Sequence, residues 1–95
     1  MLINKLPLAE DDLIDLWIYG CQKWGINQAD RYLDSIENKL GSLCEFPEKH
    51  SLRKMFKPPV RICPHISHII IYTIEKDSIL VVRVLHKSME VINHL

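Results

Sequence analysis

Near its close the chain reads Ile79-Leu80-Val81-Val82-Arg83-Val84-Leu85-His86-Lys87, which sets a guanidinium, an imidazole and an ammonium into an otherwise apolar run. Such groups can hold a phosphate, protonate a leaving oxygen or pair with a carboxylate, and their placement decides among these uses. Alternate residues of a strand share a face, so Arg83 falls with Val81 and Leu85 while His86 falls with Val82 and Val84. A guanidinium covered on an apolar face must be paired, because leaving it buried alone costs several kcal/mol. A structural ion pair or a carbonyl clamp is therefore the first reading of Arg83. His86 stands where the strand gives out and could act as a general acid, given a base and a phosphate clamp nearby. Arg61 and Lys54 are candidate clamps, but no carboxylate is preset beside them.

Cys63, His65 and His68, with His86 as a further candidate neighbour, are all metal-ligating types. They lack a fourth ligand at a recognised zinc spacing, so neither metal nor cofactor is expected. The chain contains no glycine-rich phosphate loop, paired-carboxylate motif or nucleophile elbow. Taken alone, these residues indicate a small binding or inhibitory domain more than an enzyme.

Ninety-five residues, 47% apolar and 25% charged, bound the answer to one small folded domain spanning residues 1–95. No apolar run approaches the length of a membrane helix, and residues 1–7 lack the apolar core of a secretory signal, so a cytoplasmic protein is expected. Three cysteines, Cys21, Cys44 and Cys63, without a CxxC spacing are expected to be reduced. The net charge is zero but polarised: residues 1–48 carry four Lys/Arg against nine Asp/Glu, and residues 49–95 carry eight against three and all five histidines. Either the two sets pair across the fold, or a basic layer stays available to an acidic or phosphate-bearing partner.

The elements that must position these groups follow from periodicity. Leu2 to Leu6 reads as a short strand ended by Pro7. Glu10-Asp11-Asp12 opens a helix, where the dipole favours carboxylates, and Leu13, Leu16/Trp17, Gly20/Cys21 and Trp24 continue it at helical spacing until Gly25. A second helix is expected from an Asn27 cap to Pro47, with Ala29, Leu33, Ile36, Leu40 and Leu43 as a seam, forming an αα-hairpin with the first. Lys49 to Pro59 reads as a basic connection. Val60 to Cys63, His68 to Ile74 and Ile79 to His86 read as strands, the last two joined by a turn over residues 75–78. The expected fold is α+β: an N-terminal strand, a helical hairpin and a three-stranded antiparallel sheet, in the order β-α-α-β-β-β.

Three blocks occur in a familiar order: Ala9-Glu10-Asp11-Asp12-Leu13 through Tyr19, Trp24-Gly25-Ile26-Asn27-Gln28-Ala29-Asp30-Arg31-Tyr32, and His68-Ile69-Ile70-Ile71-Tyr72 followed by Arg83-Val84-Leu85-His86-Lys87-Ser88-Met89-Glu90 and His94-Leu95. With these the chain resembles the ParE branch of the RelE/ParE toxin superfamily over nearly its full length. The resemblance implies a toxin encoded with a ParD-like antitoxin, acting on DNA gyrase by trapping its cleaved-DNA state, without catalysis of its own. Target-binding candidates are then Arg53, Lys54, Arg61, Arg83, His86 and Lys87. Candidates for the antitoxin contact, on the apolar shoulder of the hairpin, are Leu13, Trp17, Tyr32 and Ile36. Two departures stand out: Pro58-Pro59-Val60 replaces a family glycine before Arg61, and Met89-Glu90 replaces Met-Asp. The runner-up implied by the superfamily is a RelE-like, ribosome-dependent mRNA endoribonuclease, with His86 as acid and Arg61 as clamp. Lys87 stands where that branch has a tyrosine, and none follows Tyr72. A non-toxic interaction domain is the third reading.

Overall fold

The computed structural model describes residues 1–95. In chain order it contains β1 (Leu2–Lys5), α1 (Pro7–Trp24), α2 (Ile26–Glu45), β2 (Leu52–Arg53), β3 (Val60–His65), β4 (His68–Ile74), β5 (Ser78–His86) and a 3₁₀ turn (Val91–Asn93). The strands form one sheet in the order β1-β5-β4-β3-β2. The α+β class and the antiparallel β3-β4-β5 meander match the sequence reading. The sheet is larger than expected at both edges. The supposed connection after Lys49 contributes the two-residue β2, antiparallel to β3, and β1 lies parallel to β5 with Leu2 beside Ser78 and Lys5 beside Val81.

Helix α1 begins at Pro7, earlier than the acidic cluster, because proline is pre-shaped for a first turn where its missing N–H is not needed. The hairpin corner is a single residue. Gly25, at φ +91° and ψ 165°, closes α1 by donating its N–H to the Cys21 carbonyl, and its own carbonyl accepts the Ala29 N–H to start α2. Gly25 rather than Asn27 therefore caps the second helix, and only glycine adopts that backbone without strain. One turn earlier, a Cβ on Gly20 would sit 3.2 Å from the Ala29 Cβ, so the two helices meet backbone to backbone there.

The sheet has an apolar core on each face. On the helix side Leu13, Ile36, Leu40 and Leu43 pack over Cys63, Ile70, Tyr72, Ile79, Val81 and Val84. Fully burying one such leucine or isoleucine contributes about 1.5–3 kcal/mol. Tyr72 is wholly buried and donates its hydroxyl to the Pro47 carbonyl at 2.8 Å, tying the end of the helical hairpin to the middle of the sheet. The other face buries Val60, Ile62, Ile71 and Leu85 beneath Phe56 and Val91.

Strict alternation fails within β5. Ile71 pairs with Arg83 but Tyr72 pairs with Val81, so Val82 is an extra residue, a β-bulge. Val81 and Val84 consequently share the helix-side core, while Val82 and Leu85 belong to the opposite one. The parity that grouped Arg83 with both Val81 and Leu85 is corrected accordingly, because the bulge swaps faces between them.

Candidate functional site

Beyond Val81, β1 no longer covers β5, and the open edge is taken over by a side chain of α1. The Asp12 carboxylate accepts the Val84 N–H at 2.9 Å, doing for one rung what a neighbouring strand would do. The same carboxylate takes a two-pronged bond from Arg83, Nε to one oxygen at 2.7 Å and Nη2 to the other at 2.8 Å. Both side chains are mostly covered, at 15% and 13% exposed. The hydrogen bond to Asp12 pushes the guanidinium pKa further up, against the opposing effect of burial. Arg83 is thus the structural ion pair that its sequence context implied, and its remaining nitrogen, Nη1, donates to the His94 carbonyl at 3.0 Å.

Next to this clasp an open cleft of about 1010 Å³ separates the helical hairpin from the ends of β4 and β5. Tyr19 and Trp24 line one side, edge to face with ring centres 5.9 Å apart. The other side carries His68 and His86, two rungs of a histidine ladder in which strand register sets His65 opposite His68 and His68 opposite His86. Helix α2 ties into it. Tyr32 Oη lies 2.7 Å from His68 Nδ1 and accepts the Ser67 N–H at 3.3 Å, and Ser35 Oγ lies 2.9 Å from His65 Nε2. The Tyr32 hydroxyl accepts from Ser67, and which of Tyr32 Oη and His68 Nδ1 donates to the other is set by the histidine tautomer. Burial lowers the His68 pKa, reinforced by its neighbours His86 and His65 and opposed by Asp12; burial likewise lowers that of His65, and raises that of Tyr32. His86 is exposed at the rim, with its Nδ1 2.7 Å from Ser88 Oγ and accepting the Ser88 N–H at 3.2 Å.

This ladder pins a strained turn. Ile66, the first residue of the β3–β4 hairpin loop, has φ +52° and is 68% exposed. A β-branched residue is disfavoured in that conformation, and an exposed isoleucine gains little from its side chain. Tyr32, His65 and His68 hold the residues on either side of it.

The sheet separates the sequence candidates into groups. Arg83, His86 and Lys87 lie at one end of β5. Arg61 sits level with Tyr72 and Val81, five residues back along β5 and two strands across, which is roughly 15–20 Å from His86 at ordinary strand spacings. Arg61 also donates Nη1 to the His50 carbonyl at 2.6 Å, bracing the approach to β2. Arg53 and Lys54 are exposed at the β2 edge, on the far side of the sheet from β5. A phosphate clamp that joins Arg61 or Lys54 to His86 is therefore not assembled in this fold. No group of three or more His, Cys, Asp or Glu is arranged to hold a metal, and Cys63 faces the helix-side core, where burial raises its pKa.

The hairpin candidates divide in the same way. Leu13 and Ile36 are 8% and 0% exposed, so they hold the hairpin to the sheet and present nothing to a partner, a correction to the sequence reading. Tyr32 lines the cleft, and Trp17 is half-buried with its indole N–H on Asp30 at 2.7 Å. The large apolar side chains that α1 does present are Leu8, Ile14, Ile18, Tyr19 and Trp24, each more than 40% exposed. Sequence reasoning missed Asp12, read only as a dipole-favoured carboxylate. Its signal was helical spacing, since Asp12 lies three residues after Ala9 and four before Leu16, on the core-facing side.

Comparison with known proteins agrees with this architecture. A family model, the ParE toxin of the type II toxin-antitoxin system parDE, matches residues 3–91. Toxin ParE1 of Caulobacter vibrioides is 31% identical over 87 residues, which is 92% of this chain and 90% of that one. Toxin ParE1 of Mycobacterium tuberculosis is 28% identical over 90 residues, covering 94% and 92% of the two chains. A solved structure described as a chromosomal ParDE TA system from P. aeruginosa matches with a TM-score of 0.78 over 90% of this chain and 95% of that chain. At 16% identity this last likeness speaks for the fold alone. No helix is long and apolar enough to cross a membrane. The chain belongs to the ParE toxin family of type II toxin-antitoxin systems.

Proposed function

We propose that this protein inhibits DNA gyrase by binding, trapping the cleaved-DNA complex without covalent chemistry of its own, and that a ParD-like antitoxin neutralises it in a hetero-oligomeric complex in the cytoplasm. The family match over residues 3–91 carries this reading. The distance between Arg61 and His86 supports binding over ribonuclease action, since general acid and phosphate clamp must meet on one phosphate. Target contact falls to the end of β5, at His86, Lys87 and the tail behind them, with Arg53 and Lys54 as a separate basic edge. The antitoxin lays an amphipathic helix or strand over the exposed apolar shoulder of α1 and the cleft beside it, where Trp17 and Tyr32 are accessible.

Purified toxin added to a gyrase supercoiling reaction is expected to accumulate cleaved plasmid, and prior mixing with the antitoxin from the neighbouring reading frame is expected to abolish it. Codon-phased cutting of transcripts in a translation reaction, with gyrase unaffected, would establish the ribonuclease instead. The same reaction with topoisomerase IV separates the two related targets.

A further inference from the structure

Residues 49–74, which include β2, β3 and β4, contain five lysines and arginines and three histidines but no aspartate or glutamate. Three of those cations stand on one hairpin. β2 pairs with the start of β3, Arg53 beside Val60, so residues 54–59 form the loop between them. Arg53, Lys54 and Lys57 are exposed on it. So little chain separates the first from the last that their backbones lie within about 14 Å of one another. None of the three is in an ion pair, since the pairs that form are Lys5 with Glu37 and Arg83 with Asp12. The loop is also held in place. Phe56 packs on the apolar core that contains Val60, and Pro58-Pro59 fix two backbone dihedrals. At the root of the hairpin, burial lowers the His50 pKa and the cations Lys49 and Lys39 lower it further, so the positive field extends back from the tip.

Cations fixed on a hairpin without carboxylates beside them suit a polyanion. Lysine is depleted from protein–protein contacts, whereas it binds phosphate as a point charge. The chain has no net charge to draw it to DNA from a distance, but residues 1–48 carry nine Asp/Glu against four Lys/Arg. That polarity turns the helices away from a polyanion and this hairpin toward it. The end of β5 lies three strands away across the sheet, so both ends can be engaged at once.

We propose that the β2–β3 hairpin binds the phosphate backbone of duplex DNA through Arg53, Lys54 and Lys57, while the end of β5 touches the protein component of the target. The protein half of this contact rests on the gyrase reading; the affinity for DNA does not.

The probe is a labelled duplex of about 20 base pairs, titrated with the full chain from about 0.02 M salt upward. Binding is expected to weaken with salt at a log–log slope of about −2.7, that of three phosphate contacts. The triple variant Arg53→Gln/Lys54→Gln/Lys57→Gln should lose about tenfold or more in duplex affinity and in cleaved-plasmid accumulation with gyrase. Its thermal midpoint should stay within about 4 °C, because all three sites are exposed. Lys23→Gln removes an exposed cation from the helical layer and should change either readout by less than about twofold. No duplex binding by the unaltered protein at the lowest salt overturns the proposal. So does tighter binding, by about tenfold or more, to a single-stranded RNA of equal length, which assigns the hairpin to RNA. A triple variant that binds the duplex normally yet loses gyrase activity assigns it to an acidic protein surface and also overturns the proposal. A variant that loses the duplex but keeps full gyrase activity overturns the joint contact. If the unaltered protein binds the duplex and leaves gyrase untouched, the function reading fails while the DNA contact stands.

Discussion

Asp12 serves three donors with one carboxylate, and its removal strands all three. Because Asp12 and Arg83 are both mostly covered, solvent screening discounts the pair little. Asp12→Asn turns an amide N–H toward the guanidinium or toward Val84, and it should destabilise the fold by about 2–4 kcal/mol in urea unfolding. The opposite sign is expected at Ile66. Replacing it by glycine removes backbone strain of about 1–3 kcal/mol at the cost of some unfolded-state entropy, so Ile66→Gly should raise stability by about 1 kcal/mol. At this scale, the pairing of Arg83 was legible from one physical rule, that a covered guanidinium needs a partner. Its partner was not, because three consecutive carboxylates at a helix start all satisfy the dipole equally well, and only the position of the sheet distinguishes them.

Among the elements, the helical hairpin and the β3-β4-β5 meander were legible because long stretches repeat one period. The rest turned on single residues. The two-residue β2 carries no periodic signal. The bulge at Val82 is invisible in a run of apolar residues that suits either face, and the parallel docking of β1 depends on its partner strand rather than on its own sequence. Gly25, by contrast, was legible as a stop, and its conformation makes it a sensitive position: Gly25→Ala should cost about 1–3 kcal/mol, read as a lower thermal midpoint with helix content retained. The histidine ladder gives the hairpin-to-sheet contact a pH dependence. The pKa values of His50, His65 and His68 are lowered from 6.5 in the folded chain, chiefly by burial, so the unfolded chain takes up protons first as pH falls. Stability is then complete above about pH 6.5 and declines as the pH drops below it, towards the folded-state values. Urea midpoints between about pH 5 and 8 check this, and His68→Gln should flatten the profile.

Over the whole molecule, the charge polarity seen in the sequence is not spent internally. Of the two ion pairs, Lys5 with Glu37 lies within the acidic half, and Arg83 with Asp12 alone joins the halves. The helical layer therefore remains acidic and the β2 edge, with Arg53 and Lys54, basic. An antitoxin that masks the basic layer with acidic side chains should bind more weakly as salt rises from about 0.05 to 0.5 M, whereas equal affinity across that range would leave only the apolar contact. The parallel pairing of Leu2–Lys5 with Ser78–Val81 has a consequence for the birth of the chain. The first strand made lies along the last one made, so on the ribosome it waits unpaired while the helices and the meander emerge. Neither the docking of β1 nor the Asp12 clasp beside it can form until synthesis has passed Val84. A nascent chain thus carries its helical hairpin well before it carries a closed sheet, and a fragment released early lacks the arrangement described here.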